Sequence, residues 1–373
     1  MGIALTCAMV VSTAPPAAAD PDEPVRITRF LGEQRIPYLM KFDGTTVGGL
    51  SGIDRDPRTG NWYFISDDRD RYNPARFYTG KLAINKATGD FTGVRLTGVT
   101  TLTREDGKPY AGYGRRDSAD PESIRYDPET GRLLWGDEGD RPDARNPEIP
   151  VSQSAVHGAN LRGRTVAELP VPWNLELAHT DRGQRRNFGF EGLAVSQHAI
   201  TAVTEGPKFE DGPVPTAGRG AVTRLTMWDR QGRTRGQYAY ALDALAAPPN
   251  PPSGLADSGV SELLSIDDYR YLALERSWME GVGYRAKLYE IDLRGATNVL
   301  KRDSLAEDGP YRPVSKRLVY DLGDFRPPVQ NLESLAWGPR LAGGECTLVI
   351  GSDDNFDKSE VTQLMAFAAK GCR

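Results

Sequence analysis

The chain has 373 residues, with 46 Lys and Arg against 51 Asp and Glu, and a net charge of −5. Basic residues form no long run, so nucleic acid is not an expected partner. No apolar stretch is long enough for a stable membrane span. Gly 40 and Pro 27 suit a turn-rich chain that is large enough for one big all-β domain or two smaller ones.

Residues 1–19 read as a secretory signal peptide. Gly2 to Thr13 is a short apolar run, and Ala17-Ala18-Ala19 before Asp20 offers small residues for cleavage. A basic n-region is missing from this stretch, which leaves the true start codon open. Thr6 before Cys7 is a poor lipobox residue, which argues against a lipid anchor. The expected mature protein is extracellular, exported and possibly held at the cell surface.

From there one unit recurs five times. Its copies begin Leu50-Ser51-Gly52-Ile53, Pro121-Glu122-Ser123-Ile124, Phe190-Glu191-Gly192-Leu193, Ser261-Glu262-Leu263-Leu264 and Leu332-Glu333-Ser334-Leu335. The anchors 51, 122, 191, 262 and 333 lie 71, 69, 71 and 71 residues apart. A long fixed period filled with short apolar strands predicts a β-propeller. In the first copy Leu50–Asp54, Asn61–Ser66, Phe77–Asn85 and Phe91–Thr97 read as four antiparallel strands, joined by turns such as Asp56-Pro57-Arg58-Thr59-Gly60. The later copies keep this order, with second strands at Leu133–Gly136, Ala199–Thr204, Tyr271–Leu274 and Thr347–Gly351.

The last copy lacks its outermost strand. The strand-like segment Val25–Ile36 is left over at the other end and is expected to supply it, closing the ring and removing exposed edges. The expectation is one domain over residues 25–372, with five four-stranded blades; a sixth assembled from long loops stays open. Arg141–Pro150 and Ala246–Pro252 read as long loops. Once the signal is removed, Cys346 and Cys372 remain. A hairpin centred near Ser359 sets them opposite each other, which favours a disulfide over two free thiols.

Each copy offers two acidic positions. One is at the first strand: Glu122, Glu191, Glu262 and Glu333, with Ser51 as the exception. The other ends the second strand: Asp67 and Asp68, Asp137 and Glu138, Glu205, Glu275, and Asp353 and Asp354. In antiparallel neighbours the start of one strand and the end of the next share an end, so both sets should converge near the channel. So many carboxylates repel one another unless protonated or neutralised. Either they cap strands and accept backbone N–H groups, or they hold a hard cation. Calcium suits such oxygen ligands. Three histidines and no cysteine cluster serve softer metals poorly.

Basic residues follow or precede these acids: Arg69, Arg116, Arg186, Lys208 and Arg276. They are candidates for gripping a phosphate ester, or simply solvated loop charges. Signatures of other enzymes are missing. There is no G-x-S-x-G elbow, no P-loop and no dinucleotide fingerprint, and no histidine is placed by the repeat.

At Gly48-Gly49-Leu50-Ser51-Gly52, Asp120-Pro121-Glu122-Ser123, Asn187 to Leu193, Thr204-Glu205-Gly206-Pro207 and Asn331 to Leu335 the chain resembles the family "esterase-like activity of phytase". The resemblance spans about residues 25–370. It implies a secreted propeller related to calcium-dependent phytases, which bind phosphate and activate water through calcium without a covalent nucleophile. Those phytases are six-bladed, whereas five copies are counted here, so their ligands are not carried over residue by residue.

The expected function is calcium-dependent phosphoester hydrolysis by an activated water, in a monomer acting on a small phosphorylated or ester substrate. Glu122 and Glu191 are the expected catalytic groups. The alternatives are a non-catalytic propeller that binds a ligand or partner, and a calcium-dependent carboxylesterase or lactonase.

Overall fold

The computed structural model describes residues 23–323, 325–326 and 328–372; the signal peptide expected at 1–19 lies outside the described residues. Its chain order begins with β1 (Arg26–Ile36) and a small hairpin of β2 (Lys41–Phe42) and β3 (Thr45–Thr46). Blade 1 is β4 (Gly52–Arg55), β5 (Trp62–Ser66), β6 (Arg76–Ile84) and β7 (Phe91–Thr101). Blade 2 is β8 (Pro121–Asp127), β9 (Arg132–Asp137), β10 (Ala155–Ala159) and β11 (Thr165–Leu169). Blade 3 is β12 (Phe190–Val195), β13 (Ala199–Thr204), β14 (Ala221–Asp229) and β15 (Thr234–Leu242). Blade 4 is β16 (Ala256–Ser265), β17 (Arg270–Met279), β18 (Gly283–Asp292) and β19 (Ser315–Asp321). Blade 5 is β20 (Asn331–Trp337), β21 (Cys346–Asp353) and β22 (Thr362–Lys370), completed by β1.

The protein is therefore a five-bladed β-propeller of four-stranded antiparallel sheets, the fold its repeat predicts. The N-terminal strand closes the ring: β1 runs antiparallel to β22 from Arg26 opposite Lys370 to Ile36 opposite Thr362. The disulfide Cys346–Cys372 staples this same blade, with Cα atoms 6.3 Å apart. Among the described residues no helix is long and apolar enough to cross a membrane.

Inner strands are largely buried on both faces because each is sandwiched between its own blade and the next. Apolar clusters accordingly lie between blades. Ile65, Phe77, Ile124 and Trp135 join blades 1 and 2, and Leu263, Tyr271, Leu225 and Tyr240 join blades 3 and 4. Burying such side chains contributes about 1.5–3 kcal/mol each.

A polar bolt crosses the axis. Arg125, on β8, donates to the carbonyls of Ile53 in blade 1, Leu193 in blade 3 and Leu263 in blade 4, and its Nη2 lies 2.7 Å from Glu262 Oε2. One guanidinium thus ties four blades, and both charged side chains are almost fully buried. Removing one partner of such a pair leaves an uncompensated buried charge. Arg125→Ala should therefore cost ~3–5 kcal/mol in denaturant unfolding; a loss under ~1 kcal/mol would show that the bolt holds nothing.

Candidate functional site

The register locates the acidic positions more finely than the repeat does. Inner-strand pairs Gly52–Ile65, Ser123–Gly136, Gly192–Val203, Glu262–Leu274 and Ser334–Gly351 are structurally equivalent. The residues one step before the first members are Ser51, Glu122, Glu191, Ser261 and Glu333. In blades 2 to 5 each of these is the extra residue of a β-bulge. A bulge re-aims its side chain, here onto the axis at one mouth of the channel.

This corrects the sequence alignment of the fourth copy. Ser261, not Glu262, occupies the ring, and the two serines act alike. Ser51 Oγ donates to Pro121 O and Ser261 Oγ to Leu332 O, in each case the residue before the next blade's glutamate. Glu262 is one residue out of phase and pairs with Arg125 instead.

Two residues on from the second members of the pairs lie Asp67, Glu138, Glu205, Arg276 and Asp353. These form a second ring, acidic in blades 1, 2, 3 and 5 and basic in blade 4. Strand alternation sends their neighbours elsewhere. Asp68 holds Arg76 at 2.6 Å and accepts from the N–H groups of Tyr72 and Asn73. Asp354 accepts from the N–H groups of Gly49 and Phe356. Glu275 accepts from Tyr240 and pairs with Lys316. Asp137 accepts from the N–H groups of Asp120 and Gly139 and turns its other oxygen toward His157 in a separate cleft of about 700 Å³. Burial lowers the pKa of that histidine, but Asp137 and Glu168 outweigh it and push it up to about 9.

Close packing at the mouth depends on glycine. A β-carbon at Gly49 (φ +59°) would collide with Asp67 Oδ1, and one at Gly259 with Glu205. Three groups that the repeat did not single out complete the site. Asp120 sits directly before Pro121 at the start of β8. Asn331 donates to Glu333 at 2.7 Å. Asp257, on β16, lies 3.0 Å from Arg276. Asp120 and Asn331 were visible only as parts of the motifs Asp120-Pro121-Glu122-Ser123 and Asn331 to Leu335, while Asp257 had no signal.

The cations divide in the same way. Arg69 reaches Asp120 at 2.5 Å, Glu138 at 3.4 Å and Glu122 at 4.0 Å. Arg276 reaches Glu205 at 2.9 Å and Glu333 at 3.4 Å. Arg186 is drawn off by Asp140 at 2.8 Å and by Tyr113 Oη. Lys208 is buried against Asn174 O, Asp303 and Glu210. Arg116 is exposed and lies outside the cavity lining.

The mouth thus gathers nine carboxylates (Asp67, Asp120, Glu122, Glu138, Glu191, Glu205, Asp257, Glu333 and Asp353) around two guanidiniums. The cavity holds about 200 Å³, with Trp278, Tyr284, Asn187 and Asn355 on its walls. Burial, reinforced by neighbouring carboxylates, pushes Asp67 and Glu205 up to about 8. Burial likewise takes Glu333 to about 7, against the pull of Arg276. Glu122, Glu138, Glu191 and Asp353 are raised well above the usual carboxylate range, first by burial and then chiefly by like charges. Arg69 and Arg276 are held firmly charged because their carboxylates outweigh the cost of burial.

One corner fits a hard cation. Asp120, Glu122 and Glu138 each offer an oxygen within 4.8 Å of the others. Asp120 is compensated there by the ion pair with Arg69, whose Nη2 lies 2.5 Å from its Oδ2. Both oxygens of Asp353 and Oδ1 of Asp67 are buried with no hydrogen-bond partner among the described residues. Unsatisfied carboxylate oxygens are costly in a protein interior, and an oxygen-only donor set suits calcium better than zinc.

A five-bladed propeller with a buried carboxylate mouth is the class that this geometry defines. The chain belongs to the Phytase-like family, "esterase-like activity of phytase", whose model matches residues 45–356. No curated protein matches it in sequence. Among solved structures it is similar to a GH43 β-1,3-galactosidase with galactodeoxynojirimycin, at 8% identity and TM-score 0.45, over 90% of this chain and 94% of that one. It is also similar to the catalytic domain of Coprinopsis cinerea GH62 α-L-arabinofuranosidase, at 9% identity and TM-score 0.36, over 86% and 91%. A third is the β-propeller domain of Myceliophthora thermophila Cps50 (Swd1), at 11% identity and TM-score 0.32, over 92% and 99%.

The raised carboxyl groups set a sign for stability. They bind protons more tightly folded than unfolded, so they support the fold below their ordinary pKa of 4.5 and oppose it as pH passes about 7 to 8. In chelator, the melting temperature should fall between about pH 5 and about pH 9, and less so in Glu205→Gln. Thermal melts that stay flat or rise over that range would contradict the assigned burial.

Proposed function

We propose that the acidic mouth binds a hard divalent cation, calcium in the first instance, and hydrolyses a small phosphoester with water. The observation that carries this reading is the corner of Asp120, Glu122 and Glu138: three buried carboxylates, each with an oxygen within 4.8 Å of the others, beside the single guanidinium of Arg69. When bound, the cation would supply charge neutralisation for the phosphate and acidify a water. Asp120, Glu122 and Glu138 would hold it, with Asp67 and Asp353 as further oxygen donors.

The chain's own residues do the rest. Arg276 and Arg69 stand at the mouth and present fork-shaped guanidiniums, which match phosphoryl oxygens. A carboxylate with a raised pKa is a competent general base near neutrality. Among the described residues Glu191 has no arginine within ion-pair distance, whereas Glu122, Glu138, Glu205 and Glu333 each contact Arg69 or Arg276. It is therefore assigned to take the proton of the attacking water. The cavity of about 200 Å³ admits a phosphate and one small ring, which favours monoesters over polymers. Export to an oxidising compartment is part of this reading, supported by the disulfide and by the signal read at residues 1–19.

Purified protein assayed with and without calcium on phosphomonoesters, carboxylic esters and lactones tests the proposal. Calcium-dependent release of phosphate is expected, with Glu191→Gln losing at least ~100-fold in kcat, the low end for one general base, while keeping its melting temperature. Calcium binding by calorimetry should fall sharply in Asp120→Asn. Full activity in chelator or in Glu191→Gln would overturn the reading. Calcium binding without turnover of any ester would favour a binding propeller, and turnover of carboxylic esters or lactones alone a different esterase.

A further inference from the structure

The opposite mouth of the channel carries the opposite charge. It is a funnel of about 470 Å³ whose charged lining is Arg55, Lys86, Arg125 and Arg340 against the single carboxylate of Asp54. Asp54 is turned into the backbone, where Oδ2 accepts from Tyr126 N at 2.7 Å. Arg125 forms the floor and is fully occupied by carbonyls and Glu262. The other three cations have no carboxylate in contact among the described residues.

Arg55 is the most telling of them. It is half-buried at the end of β4, yet none of its guanidinium N–H groups makes a hydrogen bond or an ion pair among the described residues. Burial pulls its pKa down more than the neighbouring carboxylates of Asp56 and Asp54 restore it. Lys86, exposed on the turn between β6 and β7, also has no side-chain partner among the described residues. Arg340, on the loop between β20 and β21, makes only a long contact to Gly344 O, at 3.3 Å, and one to the Cys372 sulfur. The backbone N–H of Ala342 donates to Lys86 O at 2.7 Å, which ties that loop to the Lys86 turn.

Between the cations the wall is apolar. Trp337 is fixed by its indole N–H on Ser265 O at 2.9 Å, and Tyr126 is held by stacking on Tyr63 at 5.7 Å. Pro57, Pro128 and Pro339, from the mouth loops of blades 1, 2 and 5, add rigid apolar surface. Blades 3 and 4 close their side without charge to spare, since Asp268 accepts from Ser196 and pairs with His198 at 2.7 Å. The funnel is therefore one-sided: cations and rings from three blades face a neutral wall from the other two.

We propose that this funnel is a second ligand site, for a small organic phosphate: a dianionic head taken by Arg55, Lys86 and Arg340, on an apolar body seated against Trp337 and Tyr126. Three unpaired cations favour a dianion over a monocarboxylate, and each charge-assisted hydrogen bond is short and strong. The floor stays closed by Arg125, so the ligand binds without passing to the acidic mouth.

Phenylphosphonate, which cannot be hydrolysed as an ester, is the probe, titrated in excess chelator with Trp337 fluorescence and calorimetry as readouts. One-to-one binding is expected. Arg55→Gln and Arg340→Gln should each weaken it about tenfold or more, with the melting temperature of Arg55→Gln unchanged because that side chain holds no partner. Arg69→Gln, at the other mouth, should bind the probe normally, which separates this site from the proposed phosphoesterase site. Inorganic phosphate should bind more weakly than phenylphosphonate. Absence of binding at millimolar probe, binding undiminished in both funnel variants, or binding lost in Arg69→Gln would overturn the proposal.

Discussion

Five inner strands converging on one axis impose a charge problem, and the rest of the molecule is arranged around its solution. Each blade delivers two mouth-end side chains to a space a few ångströms across. Most of those are carboxylates, in a low-dielectric setting where like charges interact strongly. The chain answers with two arginines, one contributed by a loop of blade 1 and one standing at a ring position of blade 4. Two cations against nine acids leave an excess that only protons or bound cations remove. The mouth is therefore stored electrostatic demand, and the apolar packing between blades holds it in place.

The charge is also sorted along the axis. Acids collect at one mouth, a self-satisfied Arg125–Glu262 pair seals the middle, and unpaired cations line the other mouth. The seal keeps the two ends chemically separate although they share the same five strands. The asymmetry around the axis is as pronounced as that along it. Serines at positions 51 and 261 interrupt the glutamate ring on either side of the pair Glu122 and Glu191, with Glu333 standing alone between them. Asp120, which Arg69 reaches at 2.5 Å, lies at the start of blade 2, beside that pair.

Much of the architecture was legible in the chain. The period gave the number of blades, and the unmatched segment at one end gave the closing strand. Hairpin phase gave the disulfide. What periodicity could not resolve was a shift of a single residue. Glu262 stands where the repeat calls for a ring glutamate, yet the bulge in β16 falls on Ser261, and one step along a strand exchanges one face for the other. The same rule of two separates Glu138 from Asp137, Asp67 from Asp68, and Arg276 from Glu275. Arg69 and Asn187 come from irregular backbone and adopt left-handed conformations that no repeat predicts, while Asp257 sits near the start of β16 at a position the period does not mark.

The pairing of β1 with β22 has a consequence in time as well as in space. Four blades consist of strands consecutive in sequence, and each can form from local contacts. The fifth joins residues more than 300 positions apart, so its closure is the least local event in the molecule and among the slowest kinds of step in folding. Until it happens, β22 presents a bare hydrogen-bonding edge. The disulfide links β21 to the segment just beyond β22 without involving β1. Oxidation can therefore complete a hairpin ready to receive the first strand, and the order of assembly is built into where the sulfur atoms lie.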